Sequence, residues 1–341
     1  MGLLPLSFSA ATLALLASAV PVLAQSRDTS APNGQIVAQE RCAFPYRTFD
    51  EWLADARRRN PQLDEAAFRR RQAHFDYVTT TQEVECLRVQ YMSGGHRVTG
   101  YIVKPTDTNG KKYPVFVVVP PYDPGGRIQF LNLFYFYGRV KDQGVVVVFP
   151  AFRGNDGGEG RDEFGGGDVE DLVNVSALAR AQPYMDADNL FLYGGGRGGM
   201  MIYLALIRGM PARAAAVENA PSDVRSWAAQ DTAVLRALRQ ANPDFERRAE
   251  EHYRARSILE HVERISTPLL IRHGSGNRRV PVSHTLGLVE RLEALGKTYK
   301  LVIYPNDDPN IQKNDPEDDR LAHEWLRTHL PGIPPMPTER P

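Results

Sequence analysis

The sequence predicts an α/β domain with a mostly parallel central sheet and helices on both faces. Three observations carry that expectation. Residues 115–119 and 145–149 are short runs, apolar at every position and rich in β-branched side chains, as in strands buried on both faces. Toward the C-terminus, helical periodicities alternate with further runs of this kind, which is the element order of α/β folds. A glycine-rich turn, Gly194-Gly195-Gly196-Arg197-Gly198-Gly199, joins one such strand to the helix after it.

Residues 1–24 are apolar, lack charged side chains and end Val22-Leu23-Ala24 before Gln25. This suits a signal peptide with a small-residue cleavage site, removed on export to the periplasm or the medium. The rival reading is an uncleaved anchor, since such a run approaches the minimum spanning length of roughly 17 residues. No later segment is long and apolar enough to cross a bilayer, so the body is expected to be soluble, with no membrane contact after cleavage. Residues 25–40 are polar and read as a disordered start. Two short helical patterns follow between 48 and 77, broken at Asn60-Pro61. Trp52 and Phe68 there read as docking contacts rather than cofactor stackers. Together 25–86 form a small helical N-terminal region.

The body is expected over 87–330. It opens with a strand pair, 87–92 and 97–104, joined through Ser93-Gly94-Gly95. After the two apolar runs come a helix at 168–181, a strand at 190–193, a helix at 199–208 and a strand at 214–217. A charged helical insertion spans 222–262. A strand at 269–272 precedes an amphipathic helix in which Val282, Leu286, Val289 and Leu292 share one face. A strand at 300–304 and a helix at 319–328 complete the pattern. The proline-rich stretch 331–341 reads as a loose tail.

Lysine plus arginine equals aspartate plus glutamate, 41 each, so charge gives no reason to invoke nucleic acid or an anionic membrane as partner. Cys42 and Cys86 are the two cysteines. In an exported chain a disulfide between them is expected, the alternative being two buried thiols. No cysteine–histidine metal spacing is present, and no cofactor is expected. The acids Asp307, Asp308, Asp315, Glu317, Asp318 and Asp319 lack the spacing and glycine of a calcium loop and read as a solvated acidic loop.

The glycine turn is the most informative segment. A buried strand passing through a tight G-x-x-x-G turn into a helix is the setting in which a strained elbow lifts a nucleophilic serine above the sheet. The frame here is Gly194-Gly195-Gly196-Arg197-Gly198, with glycine where the serine belongs. Glycine tolerates the required dihedrals better than serine, so the turn outlives its chemistry. The spacing Gly194-x-Gly196-x-x-Gly199 also fits a dinucleotide fingerprint, but it falls late in the sheet rather than at the first βα unit. No Walker lysine–serine pair follows.

Three motifs in order, Gly154-Asn155-Asp156-Gly157-Gly158-Glu159-Gly160-Arg161-Asp162-Glu163-Phe164, the glycine elbow, and Pro268-Leu269-Leu270-Ile271-Arg272-His273-Gly274, resemble the catalytic domain of the prolyl oligopeptidase family, in its dipeptidyl and acylaminoacyl peptidase branches. The resemblance implies an α/β-hydrolase fold. It places the serine at Gly196, the acid at Asn277 within His273-Gly274-Ser275-Gly276-Asn277-Arg278-Arg279-Val280-Pro281, and the histidine at Pro309. It also implies an oxyanion hole from the Arg197 backbone N–H and the segment Pro120-Pro121-Tyr122-Asp123. There the prolines offer no N–H, which leaves the Tyr122 hydroxyl. The family's propeller is expected to be absent, because seven blades of ~40 residues do not fit before residue 87.

A serine attacks only when a histidine takes its proton, and a carboxylate holds that histidine in its working tautomer. Glycine, asparagine and proline supply none of this. Ser275 and Ser283 are substitute nucleophiles without an evident base, since His284 beside Ser283 points elsewhere on a helix. His273, at a strand end, reads as a structural hydrogen-bonding residue. The resulting expectation is a pseudoenzyme that keeps a hydrolase-shaped pocket for a small molecule or peptide. The alternatives are an active serine peptidase or esterase with catalytic residues elsewhere, or a structural partner of an active relative.

Overall fold

The computed structural model of the protein describes residues 31–121, 130–306 and 315–335, with side chains at 130–135 and 315–316 excepted. The chain runs through β1 (Ile36–Arg41), α1 (Phe49–Arg59), α2 (Glu65–Arg69), α3 (Gln72–Thr80), β2 (Val84–Ser93), β3 (His96–Pro105), β4 (Tyr113–Val119), α4 (Phe130–Gln143) and β5 (Val146–Pro150). It continues through α5 (Val169–Val173), α6 (Val175–Ala181), β6 (Met185–Gly195), α7 (Arg197–Ile207) and β7 (Ala214–Glu218). The remainder is α8 (Val224–Gln230), α9 (Thr232–Ala241), α10 (Phe245–Arg256), β8 (Leu269–Gly274), α11 (Ser283–Ala294), β9 (Tyr299–Tyr304) and α12 (Asp315–His329).

Among the described residues, nine strands form one sheet in the order β1-β2-β3-β5-β4-β6-β7-β8-β9. The first three pairings are antiparallel and all those from β5 onward are parallel. This is the α/β-hydrolase arrangement expected from the sequence. Strand periodicity divides the core. Val115, Val117 and Val119 pack with α5–α8 and α11 on one face, while Phe116 and Val118 pack with α1, α3, α4 and α12 on the other. All eleven residues of α7 are buried, so the helix that leaves the glycine turn is fixed on every side.

Several expectations are corrected. Residues 36–41 are not part of a disordered start: β1 pairs antiparallel with β2, Arg41 facing Leu87, so the sheet begins well before residue 87. Among the described residues the N-terminal helices number three, and Trp52 and Phe68 lie in an aromatic cluster with Phe49 and Phe75. The sequence pattern assigns nothing to Phe130–Gln143, yet two adjacent parallel strands require a crossover and α4 supplies it. Its aromatic residues favour strands by propensity and mask the helical period. On α11 the buried face is His284, Thr285, Leu288 and Leu292, whereas Leu286 is 48% exposed. The start of the tail is docked rather than loose: Ile333 is buried, and His323 Nε2 lies 2.9 Å from the Pro334 carbonyl.

Cys42 and Cys86 form a disulfide with Cα atoms 5.3 Å apart, closing a separation of 44 residues. In the chain-entropy picture such a loop is worth about 4 kcal/mol. It pins the residue after β1 to β2, reinforced by the Cys42 N–H donating to the Cys86 carbonyl at 2.9 Å.

Candidate functional site

The strand β6 ends at Gly195 and α7 begins at Arg197, so Gly196 makes the turn at φ +52° and ψ −122°. Its N–H donates to the Glu218 carbonyl at 2.8 Å, and its carbonyl accepts from the Met200 N–H at 3.2 Å. The flanking glycines are imposed by crowding. A Cβ at Gly198 would stand 2.3 Å from the Val119 carbonyl oxygen, at Gly194 2.9 Å from the same atom, and at Gly199 2.5 Å from the Ala220 Cβ. A Cβ at Gly196 would meet nothing within 4 Å. Three glycines are therefore required by packing, while Gly196 answers only to its backbone angle. A side chain there would project into open space.

That space is a cavity of about 280 Å³ at the C-terminal ends of the parallel strands, where open α/β sheets place ligands. Its wall includes Pro121, Phe164, Glu218, Asn219, Trp227 and Asn277. Phe164 and Trp227 stack with ring centroids 5.8 Å apart. Gly196, Arg197 and Asn277 all line this one cavity. Tyr122 and Pro309 lie outside the described residues. Asn277 is buried, and its Oδ1 accepts from the Arg279 N–H at 2.9 Å and the Val280 N–H at 3.0 Å. The amide closes its own loop.

Of the substitute groups, Ser275 and His273 are held by side-chain hydrogen bonds. Ser275 Oγ accepts from the Asn306 N–H at 2.9 Å. His284 is buried, its Nδ1 accepting from the Asp223 N–H at 3.4 Å, while Ser283 beside it is exposed. His273 is fully buried, with Nδ1 2.8 Å from Thr285 Oγ1 and Nε2 2.9 Å from the Val280 carbonyl. Burial holds its imidazole down to about 4, the Val280 contact opposing the shift. The unfolded chain accepts a proton near pH 6.5 while the folded one refuses it until about pH 4, so this group's contribution is present above 6.5 and lost as pH falls. The stability difference between wild type and His273→Gln, measured by urea unfolding, is expected to shrink by about 3 kcal/mol between pH 7 and pH 4.

Arg197 heads α7, but its side chain serves the loop before α5. It donates to Asp162 at 2.6 and 2.9 Å and to Asp168 at 2.8 Å, and it lies over the Phe164 ring at 4.9 Å. Burial pushes the Asp168 carboxyl up to about 6 against the pull of Arg197. At Asp162 burial acts upward too, yet the Arg197 charge and hydrogen bonds win and hold it below the ordinary range. A second buried pair, Arg153 with Asp171 at 2.7 Å, anchors the start of the same loop.

Sequence reasoning missed Glu218, Asn219, Phe164 and Trp227. The first two stand at the C-terminal end of β7, Glu218 as its last residue and Asn219 next, and the rule that strand C-termini line such sites would have found them. The solvated-loop expectation is corrected at Asp318 and Asp319, which stand on α12 and pair with the buried guanidinium groups of Arg272 and Arg139. Among the described residues no cluster of His, Cys, Asp or Glu could hold a metal ion.

The sequence profile of the prolyl oligopeptidase family matches residues 130–331. The chain belongs to that family. Among similar proteins is the uncharacterized peptidase YtmA of Bacillus subtilis (strain 168), 28% identical over 237 residues that cover 67% of this chain and 87% of YtmA. The acylamino-acid-releasing enzyme of Rattus norvegicus is 23% identical over 249 residues, 67% of this chain but 33% of that enzyme. The Pyrococcus horikoshii acylaminoacyl peptidase superposes with a TM-score of 0.61 at 21% identity, covering 76% of this chain and 44% of that one. Acetyl xylan esterase 1 from Thermoanaerobacterium sp. JW/SL YS485 gives 0.57 at 16% identity, over 72% of this chain and 84% of that one. The chain therefore spans most of YtmA and less than half of the acylaminoacyl peptidases. Peptidases and an esterase of one fold stand among its neighbours, and fold alone does not choose between their activities.

Proposed function

We propose that this protein is an exported member of the prolyl oligopeptidase family that has lost hydrolysis and binds a small molecule or peptide in the cavity beside Gly196. The observation that carries the reading is the turn itself: the backbone that presents a nucleophile is kept, and the residue it presents has no side-chain oxygen. Asn277 supports it, because an uncharged amide in the acid's position cannot stabilise an imidazolium. A ligand is favoured by the wall as well. Its Phe164 and Trp227 rings, stacked with centroids 5.8 Å apart, offer an apolar face to such a ligand. Export rests on the apolar start of the sequence and on the disulfide, which persists in oxidising compartments.

The test is intact mass after incubation with a fluorophosphonate, which labels activated serines. No adduct is expected on the purified protein, and a two-hydrogen deficit is expected for the disulfide. A stoichiometric adduct would overturn the reading in favour of a working serine hydrolase with its nucleophile elsewhere.

A further inference from the structure

The charged insertion reaches the cavity from an unexpected direction. Trp227 comes from α8 and supplies wall, whereas Arg256, at the end of α10, supplies none of it and yet is buried. Its Nε donates to the Phe164 carbonyl at 2.9 Å. One terminal nitrogen donates to the Glu163 carbonyl and to Asn242 Oδ1, both at 2.9 Å. The other lies 3.2 Å from both the carbonyl and Nδ1 of His252, whose Nε2 in turn lies 2.9 Å from Asp244 Oδ1. Neutral acceptors thus hold a buried guanidinium that forms no ion pair of its own among the described residues. Burying a charge in this way is costly, and an apolar side chain would fill the space at less expense. What an apolar side chain could not do is hold two consecutive carbonyls.

Those carbonyls belong to a strained segment. Phe164 sits at φ +54°, a left-handed backbone that a bulky side chain avoids and that persists only where neighbours over-determine it. The glycines after it make room for the clamp: a Cβ at Gly166 would stand 3.2 Å from Arg256 Nη2 and 2.5 Å from Glu163 Oε2. We propose that Arg256 is a positioning residue that sets the shape of the cavity beside Gly196. By holding the Glu163 and Phe164 carbonyls it keeps Phe164 left-handed, and so keeps the Phe164 ring stacked on Trp227 as a wall for a planar apolar group. This role belongs to the insertion and holds whether or not the turn at Gly196 is catalytic, so it stands or falls separately from the loss of hydrolysis.

The experiment uses full-length protein labelled with 5-fluorotryptophan, whose three tryptophans give three ¹⁹F resonances, that of Trp227 being assigned by Trp227→Phe. Acetanilide, a planar aromatic amide, is the probe. In wild type the Trp227 resonance is expected to move saturably with acetanilide. In Arg256→Met it is expected to shift before any probe is added and to lose acetanilide affinity tenfold or more, with Trp52 and Trp325 unmoved. Arg256→Lys, which retains a donor for one carbonyl, is expected to recover part of the affinity. Should Arg256→Met unfold and move all three resonances, Phe164→Leu reads the wall directly, with the same loss of affinity expected. The proposal is overturned by a wild type that ignores acetanilide, by an Arg256→Met protein with native shift and affinity, or by a Phe164→Leu protein that binds like wild type.

Discussion

Replacing Gly196 by serine, Asn277 by aspartate and Pro309 by histidine together is expected to create an esterase, raising p-nitrophenyl acetate hydrolysis about 10²- to 10³-fold over the parent protein. That is well short of a native triad, whose loss costs about 10⁶ in a well-studied protease. The geometry admits the first two changes. A serine at 196 enters open space and meets only the cost of its dihedrals, about 1–3 kcal/mol. An aspartate at 277 keeps one oxygen on the Arg279 and Val280 N–H groups and offers the other to an imidazole. The control is the Asn277→Asp/Pro309→His pair with glycine retained, which should stay at background. A folded triple variant without turnover would show that 277 or 309 is not the ancestral position.

Replacing Arg272 by methionine is expected to destabilise the fold by about 3–5 kcal/mol. Arg272 is fully buried on β8, where it pairs with Asp318 of α12, lies 3.8 Å from Glu218 and sits over the Tyr193 ring at 5.1 Å. Burial works to neutralise it, and Tyr193, Asp318 and Glu218 together outweigh that and keep it charged. With the guanidinium gone, Asp318 keeps its burial and loses its main counter-charge. At roughly 2–4 °C per kcal/mol for a domain of this size, the midpoint of thermal unfolding should fall by about 10 °C. The double variant Arg272→Met/Asp318→Leu is expected to recover much of it, because replacing a whole buried pair is often near neutral. A single variant that melts with wild type would show that the pair contributes nothing net.

What could be read from the sequence follows from how local each signal is. The runs at 115–119 and 145–149 declare their burial residue by residue, and the glycine turn declares its shape because crowding at 194, 198 and 199 admits no other side chain. The register of α11 was not legible. Its exposed Leu286 is as apolar as its buried Leu288, and only the surrounding β8, β9 and insertion decide which faces inward. The edge strand β1 is exposed along nearly its whole length, Val37 included, and is a strand by virtue of its partner. The clamp on Phe164 joins residues 92 positions apart, with no periodicity to announce it. Such contacts are properties of the assembled fold, and the residues that shape the cavity are drawn largely from them.

The placement of the disulfide also has a mechanical consequence. The strand β1 lies at the sheet edge, antiparallel to β2, and the crosslink sits immediately beyond its last residue. Tension applied through residue 31 loads the β1–β2 hydrogen bonds one after another, from the Ile36–Tyr91 pair toward Arg41–Leu87, and unzips them at low force. At Cys42 the load passes into a covalent bond to β2 and spreads into the interior of the sheet. Under such tension the six residues of β1 can lengthen while the sheet behind the crosslink keeps its register.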